Sequence, residues 1–164
     1  MSVEAKQQKQ AIIDEIKSKL ENAQSAVVID YMGINVAEAD AMRKTLREAN
    51  VDYTVYKNTL IKRAIEGTDY APLAEVLDGP TALAVSSEDA TAPARTINEL
   101  IKKYKKMEFK AGVVEGTYYD KAGIEQIADI PSRDVLIAKF MGSIQSPVSK
   151  FVRTLAAIAE EKEA

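Results

Sequence analysis

Apolar residues recur along the chain at two spacings, and the spacing indicates which segments are helices and which are strands. Intervals of three and four residues are typical of helices that bury one face, whereas alternation or a short apolar run between polar turns is typical of strands. The first spacing predicts helices at residues 4–23, 35–50, 58–67, 89–106 and 120–129, with one or two helical turns at 70–77. The second predicts strands at residues 25–31, 51–56 and 79–86, and a strand or hairpin at 107–119.

Asparagines and a glycine mark several of the predicted helix ends. Asn35 is placed to cap the helix that follows it, and Glu38 stands three residues on, as in a capping box. Asn50 suits the left-handed position at which that helix ends. Asn58 is the predicted cap of the next helix, and Gly67 is the residue that stops it.

Strands and helices alternate over residues 25–119, which is typical of a βαβ-type α/β domain. The pattern changes at the IPSRD segment (130–134), after which a helical pattern runs toward the C-terminus. No further strand follows for that helix to cover, so its apolar face needs a partner. We therefore predict an α/β domain at residues 1–130 and a protruding C-terminal helix at residues 131–164.

The C-terminal helix repeats one apolar pattern after eleven residues, so that Phe140 corresponds to Phe151. Eleven residues make three helical turns at about 3.67 residues per turn, which places both copies on nearly the same face. Pro147 lacks a backbone donor and predicts a kink between them, with a restart of the helix at residues 146–147. The alternative is an ordinary amphipathic helix packed on its own domain. The first patch is Ile137, Phe140, Met141 and Ile144, and the second is Val148, Phe151, Val152 and Leu155.

The composition excludes several kinds of active site. The 164 residues include no Cys and no His, which removes disulfides, thiolate nucleophiles and the commonest general base and metal ligand. Neither a phosphate-binding glycine loop nor a nucleophile elbow occurs in the sequence. The polar N-terminus is not a secretory signal, and no apolar run approaches the roughly 18 residues of a membrane span. We expect a soluble cytoplasmic protein without cofactor or metal that is not an enzyme; a small enzyme that uses carboxylates is the alternative.

Charges are strongly segregated along the chain, although the net charge is only −3. Residues 66–94 carry six carboxylates and no Lys or Arg, whereas residues 43–63 carry six Lys or Arg and two carboxylates. Local basic surfaces attract phosphate whatever the overall charge. An acidic isoelectric point therefore does not exclude a nucleic-acid partner.

Three features in and near the basic segment suit RNA. Arg43 and Arg47 lie one turn apart on the side of their helix away from its apolar stripe. Residues 57–59 (Lys-Asn-Thr) stand at a strand-to-helix junction, where free backbone N–H groups favour an anion. Tyr31 and Gly33, after the first strand, offer a ring for stacking and room for close backbone approach, which suits RNA better than duplex DNA. On pattern alone, the alternative that these residues form only a helix cap and a solvated charged face stays open.

Several stretches of the chain resemble one family. The segment VVIDYMGINVAEADAMRKTLREANVDYTVYKNTLIKRA is the most specific, and KQQKQAIIDEIKSKL, LDGPTALAVS and KAGVVEG agree with it. They resemble the bacterial stalk-base protein of the large ribosomal subunit, the large-subunit protein ten family, over nearly the whole chain. The family usually has a basic residue where this chain has Met32, so one expected phosphate contact is in question.

The resemblance implies a fold, two kinds of partner and a set of residues. The N-terminal α/β domain would have ferredoxin-like character and bind large-subunit rRNA, beside a neighbouring stalk-base ribosomal protein. The C-terminal helix would hold dimers of the acidic stalk protein, the seven/twelve type, which recruit translation GTPases; two repeats predict two dimers, one on each apolar patch. The competing interpretation is a free RNA-binding translational regulator with a self-packed C-terminal helix. The rRNA-binding residues implied by position are Tyr31, Gly33, Arg43, Arg47, Lys57, Asn58, Thr59 and Arg63.

Overall fold

The chain divides into two compact units, Met1–Ile130 and Pro131–Ala164. The computed structural model describes the backbone of residues 3–163, and the side chains of residues 7–147, 149–154 and 158. Each predicted helix and strand of the first unit is present, most of them shorter than predicted. The helices are α1 (Val3–Glu21), α2 (Val36–Glu48), α3 (Asn58–Ile65), α4 (Ala92–Tyr104) and α5 (Lys121–Ala128), and a 3₁₀ helix spans Ala71–Glu75. The strands are β1 (Ser25–Asp30), β2 (Asp52–Thr54), β3 (Ala82–Ser86), β4 (Glu108–Val114) and β5 (Thr117–Asp120).

The five strands form one sheet in the order β2-β3-β1-β4-β5, and each neighbouring pair is antiparallel. The strands joined by α2 run in the same direction, but β3 lies between them; β1 likewise separates the strands joined by α4. The expected βαβ units are therefore split, and adjacent parallel strands do not occur among the described residues. This arrangement confirms a mixed α/β fold of ferredoxin-like character, to which a hairpin adds β5.

The central strand β1 is buried on both faces. Val27 and Ile29 contribute to one hydrophobic core, and Ala26 and Val28 contribute to the other, because successive side chains of a strand point in opposite directions. Helices α2, α4 and α5 cover the first face, and α1, α3 and the 3₁₀ helix cover the second. The result is a three-layer unit with the sheet in the middle.

Two ends of helices follow the prediction and one does not. The Glu38 carboxylate accepts the Asn35 N–H at 2.9 Å, and Asn50 has the left-handed φ of 54°. The N-cap of α3 is Lys57, whereas Asn58 is already the first helical residue. The prediction that Asn58 caps this helix is therefore wrong; its side-chain amide instead donates to the Gly79 carbonyl at 2.9 Å.

The edge strand β2 is shorter than the predicted 51–56. It pairs only with β3, from Asp52 to Thr54, and the chain then leaves the sheet to begin α3. Alternation predicts Val51, Tyr53 and Val55 on the inner face, and Val51 is buried. Val55 is 42% exposed, because it lies beyond the last paired residue.

The second unit contains one described element, the helix α6 (Arg133–Glu163). Its 31 residues continue through Pro147 without an interruption. The predicted restart of the helix at residues 146–147 is therefore wrong, since the helix has already formed before the proline. The predicted kink stays a prediction.

The tight contact of β4 with β1 depends on Gly112. A Cβ at this position would lie 2.7 Å from Ile124 Cδ1 and 3.1 Å from the Ala26 carbonyl oxygen, which belongs to the central strand. We expect Gly112→Ala to lower the free energy of unfolding by about 1–3 kcal/mol through overpacking. Urea denaturation followed by circular dichroism measures this. Gly142→Ala is the control, because no atom lies within 4 Å of its Cβ position; a loss as large in the control would contradict the prediction.

Candidate RNA interface and apolar helix surface

One end of the sheet gathers the loops that carry most of the predicted RNA-binding residues. Because β1 and β2 run in the same direction and β3 and β4 run against them, the last residues of β1 and β2 lie at the same sheet end as the first residues of β3 and β4. The loop after β1 (31–35), the connection before α3 (55–57) and the turn before β3 (78–81) therefore meet at this end. Tyr31, Gly33, Lys57, Asn58 and Thr59 lie here.

The loop after β1 has a defined turn. The Asp30 carboxylate accepts the Met32 N–H at 2.9 Å, and Gly33 has a φ of +86° that other residues rarely adopt. No atom lies within 4 Å of the Gly33 Cβ position, so the backbone there is open to approach. Tyr31 is half-buried against the core, and Met32 is 67% exposed. The loop thus presents its backbone and part of the Tyr31 side chain.

Arg43 and Arg47 border a groove between α2 and the edge strand β2. The groove has a volume of about 550 Å³ and is also lined by Asn50, Asp52 and Glu88 among others. A smaller groove of about 210 Å³ adjoins Arg43 and is lined by Tyr31 and Tyr53. Arg43 therefore links the loop after β1 to the Arg47 end of α2.

Tyr53 lines both grooves, and its pKa is the most strongly shifted among their side chains. Burial raises the pKa of Tyr53 to about 12, although the positive charge of Arg43 acts to lower it. The phenol is therefore neutral near neutral pH and available as a hydrogen-bond donor beside a cation.

The first turn of α3 presents unbonded backbone donors. The first helical bonds run from the Leu60 and Ile61 N–H groups to the Lys57 carbonyl, so the amides of Asn58 and Thr59 precede them. Lys57 and Thr59 are exposed, and Asn58 is half-buried by its bond to Gly79.

The structure does not bring all predicted residues onto one flat surface. Arg47 lies on α2 and Arg63 on α3, and these helices cover opposite faces of the sheet. Thr59 and Arg63 lie one turn apart on the exposed side of α3. Within the described part of the chain, Arg43 pairs with Asp40 at 3.3 Å, whereas no carboxylate lies within 4.0 Å of Arg47, Lys57 or Arg63.

Sequence analysis missed two lysines that hold these segments in place. Lys19 on α1 lies 2.7 Å from Asp52 and 3.0 Å from Glu15, and donates to the Tyr56 hydroxyl at 3.1 Å. Burial acts to lower the pKa of Lys19, but its hydrogen bonds to the two carboxylates and the phenol raise it above the usual value. Only the spacing of Lys19 and Glu15 was visible in the sequence. The other lysine, Lys110 on β4, contacts the turn before β3.

The helix α6 exposes both apolar patches. In the first, Phe140 is 67% exposed and Ile144 62%; in the second, Phe151 is 64% exposed and Val152 58%. Ile137 and Met141 are also exposed, and the side chains of Val148 and Leu155 lie outside the described residues. Among the described side chains, the corresponding pairs Phe140 with Phe151 and Met141 (55% exposed) with Val152 have similar exposure. Further exposed apolar side chains that sequence analysis did not assign to a patch are Val135, Leu136 and Ile158.

The described residues contain neither a metal-binding cluster nor a helix that could span a membrane. No group of three or more Asp or Glu is placed to hold a metal ion in this part of the chain. Among the helices described there, none is long and apolar enough to cross a bilayer.

The chain is similar to known proteins over nearly its whole length. The family model described as ribosomal protein L10 matches residues 4–102, and that described as ribosomal protein uL10 C-terminal region matches residues 130–164. The large ribosomal subunit protein uL10 of Clostridium tetani is 46% identical over 158 residues, which cover 96% of this chain and 92% of that protein. The same-named proteins of Bacillus licheniformis and Clostridium acetobutylicum are each 43% identical, over 94% and 97% of this chain and 93% and 95% of their own lengths.

Tyr53 predicts a measurable loss of stability at alkaline pH. Its pKa is about 12 in the folded chain and about 10 in an unfolded one. The unfolded state therefore releases the proton first, and stability falls as the pH rises from about 10 toward 12. We expect Tyr53→Phe to lose less stability between pH 9 and about 10.5 than the wild type in urea denaturation. The exposed Tyr118, replaced by Phe, is the control; the same change in both variants would contradict the assignment.

Proposed function

Since the chain belongs to the ribosomal protein L10 family, and is therefore a structural protein of the large ribosomal subunit, we propose that it forms the base of the subunit's stalk. As a ribosomal protein it belongs to a ribonucleoprotein that carries out translation, and its relatives are not enzymes. Residues 1–130 bind large-subunit rRNA beside a neighbouring stalk-base protein. Residues 131–164 hold two dimers of the acidic stalk protein, which recruit translation GTPases.

The RNA-binding role rests on cations without carboxylate partners around the sheet end and the α2–β2 groove. Arg47, Lys57 and Arg63 have no ion-pair partner among the described residues. A cation without a carboxylate partner is free to neutralise phosphate. The amides at the start of α3 add donors for phosphate oxygens, and Tyr31 adds an aromatic surface for a base.

The basic residues of α2 and α3 contact RNA from two sides of the sheet. Arg47 and Arg63 lie over opposite faces of the sheet. A straight, regular duplex that contacts one face therefore cannot contact both residues at once. A folded RNA that contacts the sheet end and extends along α2 and α3 can reach both. This geometry favours structured rRNA over a regular helix.

The stalk-binding role rests on the similar exposure of the positions that can be compared between the two α6 patches, Phe140 with Phe151 and Met141 with Val152. Eleven residues correspond to about 16 Å along the helix and an angular offset of about 20°. Two identical partners can therefore bind side by side in the same orientation, each burying one patch as a helix in a groove. Full burial stabilises each apolar side chain by about 1.5–3 kcal/mol. Ordering of the helix and of the partner offsets part of this gain.

The RNA interface is tested by the salt dependence of binding. The probe is the rRNA fragment of the GTPase-associated region from the same organism. We expect Lys57→Ala and Arg47→Ala each to weaken binding and to reduce the slope of log affinity against log salt by about 0.7–0.9, the value for one lost phosphate contact.

The control for this series is Lys121→Ala at the start of α5. Lys121 pairs with Glu108 at 2.8 Å and lies outside the proposed interface. Its substitution should leave both affinity and slope unchanged. Slopes that are identical in all three variants would refute the assignment of Lys57 and Arg47.

The stalk sites are tested by native mass spectrometry with the acidic stalk protein of the same organism. The wild-type chain should hold two dimers. Phe140→Ala with Ile144→Ala should release one dimer and keep the other, and Phe151→Ala with Val152→Ala should do the same from the second patch. A variant that keeps both dimers at full occupancy would show that its patch is not the site.

Absence of any complex with the wild-type chain would favour the free RNA-binding regulator. In that outcome the doubled pattern is an ordinary amphipathic surface, and only the RNA interface remains.

A further inference from the structure

Lys110 lies at the centre of the sheet end that carries the proposed RNA interface. Its side chain, which extends from β4, is only 16% exposed. The ammonium group donates to the carbonyl oxygens of Asp78 and Pro80, the latter at 2.9 Å, and lies 3.3 Å from the Thr81 hydroxyl. One positive charge therefore contacts three residues of the turn before β3.

This turn precedes the paired part of the sheet, so strand-to-strand hydrogen bonds do not satisfy its carbonyl groups. Pro80 has no N–H, and β3 begins only at Ala82. A carbonyl that is withdrawn from water without a donor is costly. The three protons of a lysine ammonium fit several acceptors that diverge from one point.

The same ammonium group reaches the loop after β1. It lies 3.5 Å from Asp30 Oδ2, while the other oxygen of that carboxylate accepts the Met32 N–H at 2.9 Å. One oxygen of the Asp30 carboxylate is thus held by the charge of Lys110. The other oxygen stabilises the turn that contains Tyr31 and Gly33.

The turn before β3 also has direct contacts with α3. The Asn58 amide donates to the Gly79 carbonyl at 2.9 Å, and Lys62 lies 3.6 Å from the Asp78 carboxylate. Asn58 stands directly between Lys57 and Thr59. A displacement of the turn therefore moves the first turn of α3.

We propose that Lys110 is a positioning residue for the RNA interface, which holds the Tyr31–Gly33 loop and the start of α3 in one arrangement without touching RNA itself. The proposal rests on the RNA-binding role proposed above. Hydrogen bonds to a charged group are stronger than neutral ones, so one buried ammonium can fix two loops that share no direct bond among the described contacts.

Salt-dependent binding of the rRNA fragment distinguishes a positioning lysine from one that contacts phosphate. Lys110→Met keeps the length of the side chain and removes the charge. We expect its affinity to fall about tenfold, because RNA binding must then order the two loops, with no change in the salt slope. Lys110→Arg keeps the charge and should bind more tightly than Lys110→Met.

The matched control is Lys121→Met, which removes an ion-paired lysine from the start of α5. It should bind RNA as the wild type does. Binding is measured under conditions in which denaturation curves show each variant fully folded, so that a loss of affinity does not reflect unfolded protein. If Lys110→Met does not fold, Thr81→Val removes one acceptor of Lys110 and should give a smaller loss with the same unchanged slope.

Amide exchange by NMR gives a second result that needs no RNA. Lys110→Met should accelerate exchange of the Met32 N–H and broaden the Asn58 side-chain amide signal, whereas Lys121→Met should not. Wild-type affinity in Lys110→Met, or a slope that is lower by about one contact, would overturn the proposal. If the wild-type chain binds no RNA, the RNA-binding role fails as well, and the exchange data alone report whether Lys110 holds the two loops.

Discussion

Burial of β1 on both faces is the constraint on which the rest of the structure depends. A strand without an exposed face needs a layer of helices on each side, and the chain provides α2, α4 and α5 on one face and α1 and α3 on the other. The same constraint explains why β4 approaches β1 closely at Gly112, since β1 has a neighbouring strand on each edge. The less buried strands β2 and β5 are thereby left at the edges of the sheet.

The split βαβ topology then decides where function can lie. It collects the loop after β1, the start of α3 and the turn before β3 at one end of the sheet. Loops at such an end carry backbone groups that helices and strands do not satisfy, and these groups require either internal donors such as Lys110 or an outside ligand. The proposed RNA interface uses the backbone and cations that internal contacts leave over.

The two units place their apolar residues in opposite ways. The first unit buries Ile16, Ile61 and Ile97 completely, whereas α6 exposes Phe140 and Phe151. Exposed aromatic side chains in a regular repeat are unfavourable in water, which supports the proposal that α6 is a binding surface. The first unit therefore buries its own core, whereas the proposed partner would cover the apolar surface of α6.

The sequence by itself determined the helices and strands, the position of α6 and its eleven-residue repeat, because these depend on local spacing of apolar residues and on short-range caps such as Asn35 and Glu38. It also determined the family, through long stretches of similar residues. Tertiary structure alone decided the antiparallel order of the strands, the placement of Arg47 and Arg63 over opposite faces, and the tether of Asn58 to Gly79. Lys19 and Lys110 were beyond sequence reasoning for the same physical reason. Asp52 for Lys19, and Pro80 and Asp30 for Lys110, lie about 30 residues or more away along the chain and meet these lysines only when the sheet has formed.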